Sequence, residues 1–180
     1  MNTGQMMLTI LAMVLLSSVI LTVNRGFLTT NSTMENNRVD ILAISLANSI
    51  IEHASSLSYD EKTVGAAITK TISLTPYTSL NLESPEKRDS TNTFDDFDDY
   101  NCYRTNPKVD SIEVPGTSPL KKFYFKSYCS VDYVDSTNPD VVSTSQTWNK
   151  KLTVRIFSPN MADTIRLSTV YCYWRYQITQ

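Results

Sequence analysis

Met6 to Val23 (MMLTILAMVLLSSVILTV) is an 18-residue stretch without a charge. As a helix it measures roughly 27 Å, close to the hydrocarbon thickness of a bilayer, and it contains no Gly or Pro to interrupt it. Ser17, Ser18 and Thr22 are expected to return their hydroxyls to backbone carbonyls of the same helix. From Val39 the pattern changes. Val39, Leu42, Ala43, Leu46, Ala47, Ile50, Ala54 and Leu57 recur at steps of three and four, with Asn36, Asn37, Asp40, Asn48 and Glu52 between them, which is the signature of an amphipathic helix. The two patterns together predict one nearly continuous helix over residues 1–58. Its 5–25 portion is apolar on every side and its 33–58 portion is one-sided, with a looser stretch at Asn24 to Gly26. A break near Thr29 to Ser32 is the alternative, because the TTNST run has poor helix propensity.

After Tyr59 the texture is different. All seven prolines fall at or beyond Pro76, and three runs between them are rich in β-branched and aromatic residues: Leu120 to Val134, Gln146 to Phe157 and Thr164 to Ile178. Connections of about six to eleven residues suit an antiparallel meander. In the third run Ile165, Leu167, Thr169, Tyr171, Tyr173 and Arg175 share a face, and Arg166, Ser168, Val170, Cys172, Trp174 and Tyr176 the other. The predicted class is α+β. A long N-terminal helix leaves its apolar half protruding and lays its amphipathic half on the antiparallel sheet of a head formed by residues 59–180.

Composition narrows the function. With 16 Lys+Arg against 18 Asp+Glu the formal charge is -2, so no basic excess exists to neutralise phosphates and no nucleic-acid partner is expected. A single histidine, no Gly-rich phosphate loop and no G-x-S-x-G leave no basis for an enzyme. The residues before Met6 include no Lys or Arg, unlike the basic start of a secretory signal. A helix apolar all round needs either lipid or a large protein around it.

Two further features carry chemistry. Cys102, Cys129 and Cys172 lie in the head and lack the spacing of a zinc site. In an exported protein two of them would pair, and Cys102 with Cys129 would pin a long loop to the first strand, although all three pairings stay open. Phe94-Asp95-Asp96-Phe97-Asp98-Asp99-Tyr100-Asn101 places four carboxylates in five positions. Asp95, Asp96, Asp98 and Asp99 are candidate Ca2+ ligands, but not those of an EF-hand, whose Gly and terminal Glu are missing. The simpler expectation is a solvated turn, with Phe94, Phe97 and Tyr100 docked on the sheet and the carboxylates facing water. Repulsion among four close acids calls for a cationic neighbour, a metal or a Lys/Arg.

An apolar helix that continues into an amphipathic half packed on an antiparallel sheet resembles a type IV pilin or pseudopilin. FDDFDDYN at 94–101 is similar to a stretch in some pilin-like proteins. The resemblance implies a structural subunit held in the inner membrane and then moved into the core of an extracellular helical filament, with a role in adhesion or motility. The filament-core residues are then Met6, Leu8, Leu11, Leu15, Leu16, Val19, Ile20 and Val23. The implied partners are further copies of the chain and the pilus or secretion assembly machinery. A monomeric membrane-anchored binding protein, or a pseudopilin of a secretion system, is the alternative. Family precursors are cut after a Gly and carry a Glu at the fifth mature position. Cleavage after Gly4 would place Thr9 there. Counting from Met1 places Gln5 there, and that uncleaved form is the expected one. Gln5 is uncharged, so it could only hydrogen-bond to a neighbour's terminal ammonium.

Overall fold

The computed structural model of the 180-residue chain describes residues 2–83, 86–105, 111–114 and 121–173. One helix, α1, spans Thr3–Ser56. By contacts the chain forms two compact units, residues 1–38 and 39–180.

The first unit is helix throughout its described length from Thr3, and every described side chain in it is exposed. Its hydroxyl residues turn inward onto their own backbone. Ser17 Oγ donates to the Met13 carbonyl, Ser18 Oγ to Leu15 and Thr22 Oγ1 to Ser18, each at 2.8 Å. Thr29 Oγ1 donates to Arg25 at 2.9 Å and Thr33 Oγ1 to Thr29 at 3.0 Å, so the TTNST run continues the helix where a break was the alternative. These bonds hide polar groups from an apolar surrounding and explain how Ser and Thr fit so apolar a segment.

In the second unit α1 buries Val39, Ala43, Ala47, Ile50 and Ala54 along one stripe, while Leu42, Leu46 and Leu57 are half-buried beside it. Three alanines in that stripe let the helix backbone sit close to whatever covers it. The cover is a three-stranded antiparallel meander in the order β3-β4-β5: β3 Lys126–Tyr133, β4 Asn149–Phe157 and β5 Ile165–Cys172. Val131 pairs with Leu152, Cys129 with Val154, and Val154 with Leu167, so the inward residues of the strands meet side by side. Leu152, Val154 and Ile156 are fully buried, each contributing about 1.5–3 kcal/mol by burial. In β5, Ile165, Leu167, Thr169 and Tyr171 are half-buried and Arg166, Ser168 and Val170 exposed, the two faces expected from alternation. Residues 174–178 of the expected third strand lie outside the described residues.

The expected first strand over 120–134 is two strands. β2 (Lys121–Tyr124) pairs antiparallel with β1 (Ser111–Val114) in a separate two-stranded sheet, and β3 begins after Phe125. Phe123, Phe125, Ser127, Cys129, Val131 and Tyr133 are all buried, so side-chain alternation runs straight through the point where the backbone changes partners.

Candidate functional site

The acidic segment folds under the control of its aromatic residues. Phe94, Phe97 and Tyr100 are buried in the core. Phe94 meets Tyr100 edge-on at 5.1 Å between ring centres, and Phe97 packs on Tyr171 at the same separation. Burying positions 94, 97 and 100 winds Asp98–Tyr100 into a 3₁₀ turn. The segment also docks on the chain leaving α1: Ser58 N–H donates to the Asp95 carbonyl at 3.2 Å, and Phe97 N–H donates to the Ser58 carbonyl at 2.9 Å. Asn101 anchors its far end, donating to the Leu80 carbonyl at 2.6 Å and accepting from Val131 N–H at 3.2 Å.

The carboxylates do not face water as the simple turn expectation held. Asp95 is exposed, but Asp96, Asp98 and Asp99 are 0–1% accessible. The tight turn pulls them in along with the rings, and backbone amides compensate part of the burial. Asp96 Oδ1 accepts from Asp98 N–H at 2.6 Å and Asp99 N–H at 3.1 Å, while Asp99 Oδ2 accepts from Asp95 N–H at 3.0 Å and Asp96 N–H at 3.1 Å. Each of the two carboxylates therefore has one oxygen held by backbone donors. Their other oxygens, Asp96 Oδ2 and Asp99 Oδ1, have no donor, and neither has Asp98 Oδ2.

Asp98 takes a different partner from Asp96 and Asp99. Lys150, on β4, is fully buried, and its Nζ donates to Asp98 Oδ1, to Asp60 Oδ2 at 2.8 Å and to the Tyr59 carbonyl at 3.0 Å. Those three acceptors match the three N–H groups of an ammonium. The charge also lies over the Tyr59 ring, 4.6 Å from its centre, and 5.1 Å from that of Tyr133. Asp60 is held from other sides: Thr75 Oγ1 donates to its Oδ1 at 2.9 Å, and Lys62 N–H at 3.0 Å. The Tyr133 hydroxyl donates to the Thr75 carbonyl at 2.8 Å, tying β3 to the same knot. Burial works against the Asp60 carboxylate, but the Lys150 charge and these donors outweigh it and hold its pKa below the usual range. Burial dominates at Asp98 and raises it to about 7 against the pull of Lys150. The knot pins β4 to the chain just beyond α1.

Glu61, Glu83 and Glu86, all half-buried, complete the acidic region. One oxygen each from Glu61, Glu83 and Asp96 lie within 4.8 Å of one another, and the same holds for Glu83, Glu86 and Asp99. Asp96 is pushed up to about 9 by burial and by the charges of Asp98 and Asp99. Glu86 rises to about 7 through burial and its contact with the Asp99 carboxyl, and burial with Glu61 and Glu86 raises Glu83. Of the four expected calcium ligands, the structure therefore gathers Asp96 and Asp99 with three glutamates, assigns Asp98 to Lys150 and leaves Asp95 at the surface. The glutamates come from separate positions with no shared motif. Lys150 does leave a signal, because it has the same parity as Leu152, Val154 and Ile156 and so sits on the inward face of its strand.

Met6, Leu8, Leu11, Leu15, Leu16, Val19, Ile20 and Val23 are all exposed on α1, together with Gly4 and Gln5 in its first turn. Met1 lies outside the described residues. In this structure Cys102, Cys129 and Cys172 are free cysteines. Cys102 and Cys129 meet through backbone, the Cys102 N–H donating to the Cys129 carbonyl at 3.2 Å, and Cys102 takes a left-handed conformation at φ 66° to do so. Burial pushes the Cys129 thiol up to about 12, leaving it a small apolar core residue. Comparison with protein-family models, curated proteins and solved structures finds no match.

Proposed function

We propose that the chain is the structural subunit of an extracellular, type IV pilus-like helical filament. One observation carries this reading. Met6–Val23 is helical, uncharged and exposed on every side, while the same helix further on is built into a folded head. Isolated apolar residues at a surface need no explanation, but a continuous apolar cylinder needs an apolar surrounding. The helix is long and apolar enough to cross a membrane, which supports a membrane-held pool before assembly. In the filament, neighbouring copies of the same segment replace lipid, and burial stabilises their contact by about 25 cal/mol per Å² before the entropy of association is subtracted. A repeated head-to-tail contact then propagates as an open helix.

A membrane-anchored monomer is the second reading, since the same exposed segment fits a bilayer permanently. Substitution separates the two. Leu15→Asp introduces a charge into the contact between helices, so subunits that are expressed and membrane-inserted at normal levels should fail to form filaments in electron micrographs. Normal filaments from that variant would refute the helical core, and native cells with only membrane-dispersed subunits would favour the anchored monomer.

A further inference from the structure

We propose that Glu61, Glu83, Glu86, Asp96 and Asp99 form a calcium site that joins three parts of the head: the turn after α1, the pair Glu83 and Glu86, and the acidic segment. The two groups of three oxygens share Glu83, and each lies within 4.8 Å, a span that a single ion can bridge with Ca–O distances near ~2.4 Å. Clustered acids alone would not indicate a ligand. Asp96, however, is 0% exposed and leaves Oδ2 without a donor after backbone amides have taken Oδ1, and Asp99, equally buried, has its Oδ1 without a backbone donor and only the Glu86 carboxyl beside it. A buried acceptor with no partner is a sizeable penalty, and a cation in the cluster would remove it.

The buried cation among the described residues, Lys150, is not available for that role, because its three N–H groups are committed to Tyr59, Asp60 and Asp98. The donor set is carboxylate oxygen only, with no imidazole or thiolate, which selects a hard cation. Ligands reaching in from three separate segments tolerate the irregular coordination of six to eight oxygens that Ca2+ accepts, whereas Mg2+ demands a near-ideal octahedron. Bound there, the ion would close the loops between residues 61, 83 and 96 and add its binding energy to the fold. The site stands independently of the filament reading, since it lies wholly within the head.

The test uses the full chain in nonionic detergent, stripped with EDTA and titrated calorimetrically with CaCl2, with thermal melts followed by near-UV circular dichroism. The expected result is saturable binding and a higher melting temperature in CaCl2 than in NaCl of equal ionic strength, with MgCl2 binding more weakly. Glu83→Gln, which removes the ligand shared by both groups, should weaken Ca2+ binding by about tenfold or more, and Asp95→Asn, at the exposed neighbour, should leave it unchanged. Glu86→Gln provides the same reading should Glu83→Gln fail to fold. Absence of saturable binding, a Gln variant that binds as tightly as the parent, or equal losses in Asp95→Asn would overturn the proposal. Mg2+ binding as tightly as Ca2+ would overturn the choice of ion.

Discussion

The first half of α1 and the acidic segment of the head invert the usual rule of protein interiors in opposite directions. Met6–Val23 holds apolar side chains at the surface, and Asp96, Asp98 and Asp99 hold carboxylates inside. Among the described residues neither arrangement is fully compensated: the exposed apolar cylinder has no apolar surrounding, and the buried carboxylates outnumber the positive charge beside them. Among the described residues of the head Lys150 answers in part, pairing with Asp60 Oδ2 and Asp98 Oδ1. The apolar helix has no such answer among the described residues. An exposed apolar surface thus points outward, to lipid or to another chain, while a buried charge marks a point where separate segments of one fold are held in register.

The sharpest way to break this comparison is to remove the internal answer. Lys150→Met leaves Asp60 and Asp98 buried without their cation and should destabilise the head by about 3–5 kcal/mol, measured by denaturant unfolding of the full chain in detergent. Adding Asp98→Asn to that variant should recover part of the loss, because one buried charge is then gone. A smaller effect is expected from Tyr133→Phe, which removes the hydroxyl that bonds the Thr75 carbonyl and should cost about 1 kcal/mol in the same unfolding experiment. Smallest of all for the head is Leu16→Asp. Leu16 belongs to the first unit and is exposed, so head stability should stay within about 0.5 kcal/mol even if assembly is lost. A large loss of head stability in that variant would show that the two regions are not separable.

Much of the architecture is legible from periodicity. The step-of-three-and-four stripe from Val39 to Ala54 and the alternating face of Ile165 to Tyr171 both became buried or half-buried surfaces, because burial selects side chains at the period of the backbone. Partner choice is not legible in the same way. Alternation from Phe123 to Tyr133 is unbroken, yet the backbone leaves β1 and joins β4 at Phe125, a change that depends on segments distant in sequence. The acidic segment misled for a related reason. Its aromatic spacing correctly indicated docking, but docking draws the intervening carboxylates inward unless they are solvated by some other route. Lys150 could be read from its parity with Leu152, Val154 and Ile156, whereas Glu61, Glu83 and Glu86 converge only through tertiary folding and leave no spacing to recognise.

The apolar half of α1 is proposed to be an assembly surface. Electron cryomicroscopy of filaments sheared from the cell surface tests it most directly. The expected result is density into which this chain can be built, with Met6–Val23 helices from neighbouring subunits packed against one another along the filament axis. Filaments built from this chain with those helices on the outer surface, or membrane fractions that hold the chain only as dispersed monomers, would contradict it.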